Sequence, residues 1–361
     1  MSKKIIWSLV LVIIIVIAFT AMTNVHFGHE KYSGVKMGVI IPMTGDYAAI
    51  GEELQRGIEL GVDRLNSQGV NITAVYTDDG FDPKNAVSAA NKLISVDKAD
   101  FVVLFSVEEA RPVISIFDKA KIPLVVLWDS NSFLESAGPY IYSNGYSTEK
   151  SGQKMADFAF NDLKMKKVAV VSHIDAWSDI ISRAFIERFE GVGGTIVFND
   201  PEPVGTSDFK AVIAKVKSNN PDGIYAPLIP PDSISFIKQA DQYGLKASVM
   251  SGDALLQDVI DATGKASDGI YFTNAYVENP ELSVFYERSY RKQPAYLVYV
   301  AAGYDGILKI GDALKPSEDI KTTLDGLFGD ARVADREEKL YQVKSGKAEE
   351  VIATSTDMSG L

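Results

Sequence analysis

From residue 35 onward the chain alternates short apolar runs with amphipathic stretches, and this alternation restricts the fold more than any other feature. "VKMGVIIP" (35–42) is a buried-strand run, and "EELQRGIELGVDRLN" (52–66) carries Leu54, Ile58, Val62 and Leu65 on one helical stripe. "NITAVYTDD" reads as a strand and "FDPKNAVSAANKLI" as a helix, with Asp82 as N-cap and Pro83 at the first helical position. "DFVVLF" and "IPLVVLW" are two further strands, separated by a helix that Glu108 and Glu109 open. Strands that alternate with helices predict a parallel sheet covered on both faces.

A second set begins near Tyr146. The helix "STEKSGQKMADFAFNDL" leads into the strand "KKVAVVS", the helix "WSDIISRAFIERFEGVGG" and the strand "TIVFND". "TSDFKAVIAKVKSNNPD" then puts Phe209, Val212, Ile213 and Val216 on one face, followed by strand "GIYAPLI", helix "DSISFIKQADQYG" and strand "ASVMSG". Two α/β sets within 361 residues make two lobes, with ligands expected at the carboxyl ends of the strands. Near "YFTNAYVENPE" the pattern breaks into long helices, and the tail "EKLYQVKSGKAEEVIA" predicts a strand pair turned at Ser345-Gly346.

The formal net charge of −12, with no basic stripe, argues against a nucleic-acid partner. Cysteine is absent, which removes disulfides, thiolate metal sites and thiol nucleophiles. "MSKKIIWSLVLVIIIVIAFTAM" sets Lys3 and Lys4 before an uncharged run from Ile5 to Met22, close to the roughly 20 residues that span a bilayer. The run exceeds the roughly 7–15 residues of a signal-peptide core, and "AFTAMTN" is a poor cleavage site, so an uncleaved anchor is preferred to a cleaved signal. Either reading places the body outside the cytoplasm. His26, His29 and Glu30 fall in a polar tether and are read as solvated linker residues, with no metal expected.

Enzyme chemistry has thin support. His173 is the single imidazole of the body, no G-x-S-x-G elbow accompanies it, and no Walker lysine motif appears. "GVGG" (191–194) follows a helix and precedes a strand, the reverse of a dinucleotide fingerprint.

"MGVIIPMTGDYAAIGEELQRGIELGVDRLNSQG", "YTDDGFDPKNAVSAANKLI", "TSDFKAVIAKVKSNNPDGIYA", "FIKQADQYGL" and "AAGYDGILKIGDAL", in that order, resemble the periplasmic leucine/isoleucine/valine-binding proteins of ABC importers. The similarity runs from about Lys36 to Ile352. It implies the type I periplasmic-binding-protein fold: two α/β lobes, each a parallel sheet flanked by helices, joined by three crossovers, near Asn144-Gly145, near Asn274-Glu278 and around Asp330-Asp335, and closing on a solute. The implied organisation is a transmembrane or signal segment (1–22), a linker (23–35), lobe 1 (36–145), lobe 2 (146–275), the completion of lobe 1 (276–332) and that of lobe 2 (333–361). It also implies a small-molecule solute, ABC permease subunits and the membrane as partners, with no cofactor and no catalysis. The alternative is a membrane-tethered receptor of the same fold that senses a solute without importing it.

By the same resemblance, Ser130 stands at a carboxylate-binding hydroxyl position with Trp128 beside it. Val107 replaces a second hydroxyl residue, and Glu108 is its neighbour. Trp177 corresponds to an aromatic lid, and Asp253 to the acid that pairs with a ligand ammonium. Ile229 and Pro230 stand in place of an aromatic; Tyr47, in the loop of Ile50, and Tyr296 complete the set. Each residue also has a bland reading. Ser130 serves as a turn or cap residue, Trp128 and Trp177 as core, Asp253 as an N-cap, and Glu108 as a helix-dipole partner of Arg111. With the acid for an amine kept and the carboxylate grip half altered, an amine, an amino-acid derivative, a short peptide or an aromatic compound is as natural a ligand as a branched-chain amino acid.

Overall fold

The computed structural model describes residues 34–275, 280–314, 318–334, 336 and 338–352. The expected anchor (1–22), all but the end of the linker, part of the expected second crossover, Asp335 of the third and the last nine residues of the chain lie outside the described residues. Among those described, no helix is long and apolar enough to cross a membrane.

The first lobe is built on five parallel strands, β1 (Val35–Ile41), β2 (Ile72–Asp78), β3 (Phe101–Leu104), β4 (Leu124–Val126) and β6 (Ile141–Ser143), in the order β2-β1-β3-β4-β6. The apolar runs of β1, β3 and β4 have a simple cause. Successive side chains point to opposite faces, and both faces are covered. Met37, Val39 and Ile41 enter one core with Leu54 and Ile58, while Ile40, Val102 and Leu104 enter the other with Ala86 and Phe117.

The second lobe holds β8 (Lys167–His173), β9 (Thr195–Glu202), β10 (Gly223–Tyr225), β11 (Ser248–Ser251) and β12 (Tyr271–Asn274), all parallel, extended by the antiparallel β13 (Lys339–Lys344) and β14 (Lys347–Val351). The last two strands are joined by a tight turn in which Ser345 and Gly346 have φ of 52° and 76°, the left-handed pair that a two-residue hairpin requires. β9 runs two residues beyond "TIVFND" and includes Pro201, which an edge strand tolerates because one side of its backbone faces no neighbour. Between the lobes, β5 (Asp129–Ser130) and β7 (Tyr146–Ser147) form a small parallel sheet of their own.

The helix Leu297–Ala313 packs along Ala48–Ser67 of the first lobe, although it follows the second lobe in sequence. Their approach depends on glycine: a Cβ on Gly57 would lie 2.1 Å from the Val300 carbonyl oxygen, and one on Gly303 2.6 Å from that of Leu54. After β3 the expected single helix is two short ones, Val107–Ala110 and Ile114–Ala120. Pro112 has no N–H to carry the helical ladder through the break.

Candidate functional site

The carboxyl ends of both sheets face the space between the lobes, and aromatic residues line the first-lobe side. Tyr47 stacks on Phe81 with ring centroids 4.2 Å apart; Trp128 lies 6.1 Å from Phe105 and 4.5 Å from Tyr299, and Tyr146 stands edge-on to Trp128 at 5.8 Å. The regular strands end one or two residues earlier, at Leu104 and Val126, so the Phe105 and Trp128 rings project from the first residues of the connecting loops.

From the second lobe, Asp253 follows β11 and meets this wall. The Tyr146 hydroxyl donates to Asp253 Oδ2, and the Trp177 indole N–H donates to the Tyr146 oxygen at 3.4 Å. Asp253 is 3% exposed and its Oδ1 has no hydrogen-bond partner. Burial pushes its carboxyl up to about 6, against the stabilising donation from Tyr146. Tyr146 is itself pushed well above the usual phenol range by burial and by the negative charges of Asp253 and Asp129.

A second group of acids closes the tips of the first-lobe strands. Ser106 stands at the N-cap of the turn Val107–Ala110, and Glu109 reaches back to accept the Ser106 N–H at 2.9 Å, the carboxylate half of a capping box. Asp129 Oδ1 accepts the Val107 N–H at 2.8 Å. Asp129 is pushed up to about 7, chiefly by burial, with Asp253 and Glu108 adding repulsion. Glu109 and Asp79 lie against each other, and burial raises both above the ordinary carboxyl range. Among the described residues no lysine or arginine forms an ion pair with Asp79, Glu109, Asp129 or Asp253.

A family model described as periplasmic binding protein matches residues 34–327. The chain belongs to the periplasmic binding protein family. A Brucella melitensis protein named Leu/Ile/Val-binding protein homolog 3 is 30% identical over 269 residues, 72% of each chain. A leucine-binding protein from Thermotoga maritima superposes with a TM-score of 0.75 at 24% identity, over 88% of this chain and 98% of that one. A solute-binding protein from R. palustris in complex with 4-hydroxybenzoate gives a TM-score of 0.77 at 25% identity, over 88% and 96%.

In this periplasmic binding protein, Trp128, Asp253 and Trp177 lie together around Tyr146, and Tyr47 and Tyr296 sit at the ends of the aromatic wall, Tyr296 edge-on to Tyr299 at 6.0 Å. Tyr296 also borders a small cavity of about 100 Å³ between the lobes, with Leu255, Ile260 and Phe272 opposite. Three expected residues are placed otherwise. Glu108 does not enter the cleft: its side chain is half exposed and lies 3.5 Å from Arg111, because the capping box turns the adjacent Glu109 inward instead. Ser130 is buried, but its hydroxyl donates to the Tyr146 carbonyl at 3.0 Å, tying β5 to β7. Pro230 is exposed, ahead of the buried helix start at Asp232.

Sequence reasoning passed over Tyr146, Tyr299, Asp129 and Glu109. The available signal was adjacency: Tyr146 comes directly after the Asn144-Gly145 crossover, and Asp129 lies between Trp128 and Ser130. His173, the body's one imidazole, is fixed at 3.0 Å from the buried Asp232, and Ser178 Oγ accepts from the His173 main chain while donating to the Pro227 carbonyl. That geometry holds the loop; it does not pair a nucleophile with a base.

Proposed function

We propose that this periplasmic binding protein is the solute-capturing subunit of an ABC importer, acting outside the cytoplasm and closing its two lobes on an amino acid or a related small amine-bearing organic solute. The observation that supports this reading best is Asp253. It is a buried acid with an unpartnered oxygen, carried by the second lobe against an aromatic wall carried by the first. An ammonium group satisfies both the charge and the missing donor. Amino-acid capture is in keeping with the name of the Brucella melitensis relative.

A solute that touches both lobes favours the closed form by its differential affinity for it. Permease subunits would recognise the closed pair of lobes, and the solute would pass on chemically unchanged. Small-angle scattering and thermal-shift measurements on the full chain with a library of amines, amino acids and aromatic acids test this. A contracting, stabilised particle with at least one compound is expected; a rigid particle that no compound stabilises would overturn the proposal.

A further inference from the structure

Strand tips followed by helix starts present free N–H groups, which are the natural seats for an anionic ligand group in an open α/β sheet. In this chain several of those seats hold the protein's own carboxylates. At the end of β3 the Ser106 N–H goes to Glu109 and the Val107 N–H to Asp129. Beyond β1 and β2, Asp78 Oδ1 takes the N–H groups of Met43, Thr44 and Gly80 at 2.8, 3.2 and 2.9 Å. Across the cleft, Asp175 takes the N–H of Ser178 at 2.8 Å after β8, and Asp232 that of Gly205 at 2.7 Å. The Ser130 hydroxyl, beside Trp128, is engaged by the Tyr146 carbonyl.

The charges point the same way. Asp129 and Asp253 repel each other, Glu338 is a further buried acid within reach of Asp253, and no ion pair among the described residues neutralises Asp129 or Asp253. A carboxylate entering here would find its amides taken and like charges in a dry site. A cation would find Asp253 Oδ1, more than nine-tenths buried and without a partner, beside Tyr146, which Trp128 and Trp177 flank.

We infer that the solute of this cleft is an organic ammonium that carries no carboxylate, seated on Asp253, with Asp129 and Glu109 occupying from within the chain the amides that a carboxylate would need. This deepens the solute-capture reading and rests on it. It sets the protein apart from a binder of amino acids or hydroxybenzoates built on the same fold.

The test is calorimetric titration of the full chain at about pH 7.5 with matched pairs that differ by one carboxylate: phenethylamine and phenylalanine, 3-methylbutylamine and leucine, agmatine and arginine, with 4-hydroxybenzoate alongside. At least one amine is expected to bind, and its amino-acid partner to bind about 100-fold more weakly or not at all. An amino acid or 4-hydroxybenzoate that binds as tightly as the best amine would overturn the inference and leave solute capture standing. Silence from every amine would overturn it too, and the scattering library then decides separately whether any solute is captured. Asp253→Asn, checked for fold by circular dichroism, is expected to lower amine affinity at least about tenfold. Unchanged affinity would overturn the seat assigned to Asp253, and the wild-type pairs decide the solute class whether or not that variant folds.

Discussion

The Tyr146 hydroxyl donates to the Asp253 carboxylate, joining a residue just past the first crossover to the tip of a strand 107 positions later. Trp177 donates to the same phenol oxygen, so three side chains from separate segments meet at one buried point. Tyr146→Phe removes the donor and leaves a buried carboxylate with neither oxygen bonded by a phenol. The expected loss is about 1–3 kcal/mol in urea unfolding. A variant as stable as the natural protein would show that this contact contributes nothing to the fold.

The acids of the cleft predict an unusual pH response. Burial holds Asp253 at about 6 and Asp129 at about 7, against 3.8 in an unstrained chain. A folded-state pKa raised above the unfolded one means that the folded protein binds the proton more tightly. Stability therefore falls as pH rises from about 4 through about 7 and levels off above that window. The melting midpoint of the ligand-free protein is expected to rise between pH 7.5 and 5.5, and Asp129→Asn to flatten the rise. Asp78, Asp319 and Asp325 have lowered values, so their opposite contribution is lost only below about pH 4.

Amine binding should respond in the other direction. As pH falls through about 6, Asp253 takes up a proton and its attraction for an ammonium is lost. Titration of the best-binding amine at pH 7.5 and 5 is expected to show weaker binding at the lower pH. Equal affinity at both would place the ammonium away from Asp253.

Gly57 tests the helix pair that completes the first lobe. Its Cα faces the Val300 carbonyl so closely that a methyl group requires the helices Ala48–Ser67 and Leu297–Ala313 to separate. Gly57→Ala is expected to destabilise by at least about 1–3 kcal/mol, read as a lower melting midpoint. Gly326→Ala, where no atom lies within 4 Å of the added carbon, is the control and should be neutral or slightly stabilising.

Glu53 fastens the returning segment to the same helix. It is 2% exposed, accepts from Tyr286 at 2.5 Å and from the Ala295 N–H at 3.0 Å, and lies 3.4 Å from Arg56. Glu53→Ala leaves the phenol, the amide and the guanidinium without their shared acceptor, and a loss of about 3 kcal/mol in urea unfolding is expected.

The parallel sheets and the two α/β sets were legible in the sequence because strands buried on both faces must be apolar at every position, as "FVVL" and "LVV" are. The turn at Ser345-Gly346 was legible too, since few residues accept positive φ there. The break at Pro112 was missed: the helical reading followed Glu108 and Glu109 and gave no weight to the absent N–H.

Local pattern thus settled which segments become strands and helices, for burial and backbone sterics act over a few residues. The resemblance to the leucine/isoleucine/valine-binding proteins, and not the pattern, singled out Trp128, Trp177 and Asp253, with no means of telling what each would face. Only the tertiary structure decided that Glu109 turns inward while Glu108 stays in water, that Asp129 finds the Val107 amide 22 residues away, and that Tyr146 meets Asp253. A carboxylate's role depends on the donor opposite it and on the water excluded around it, and both are set by chain segments far apart in sequence.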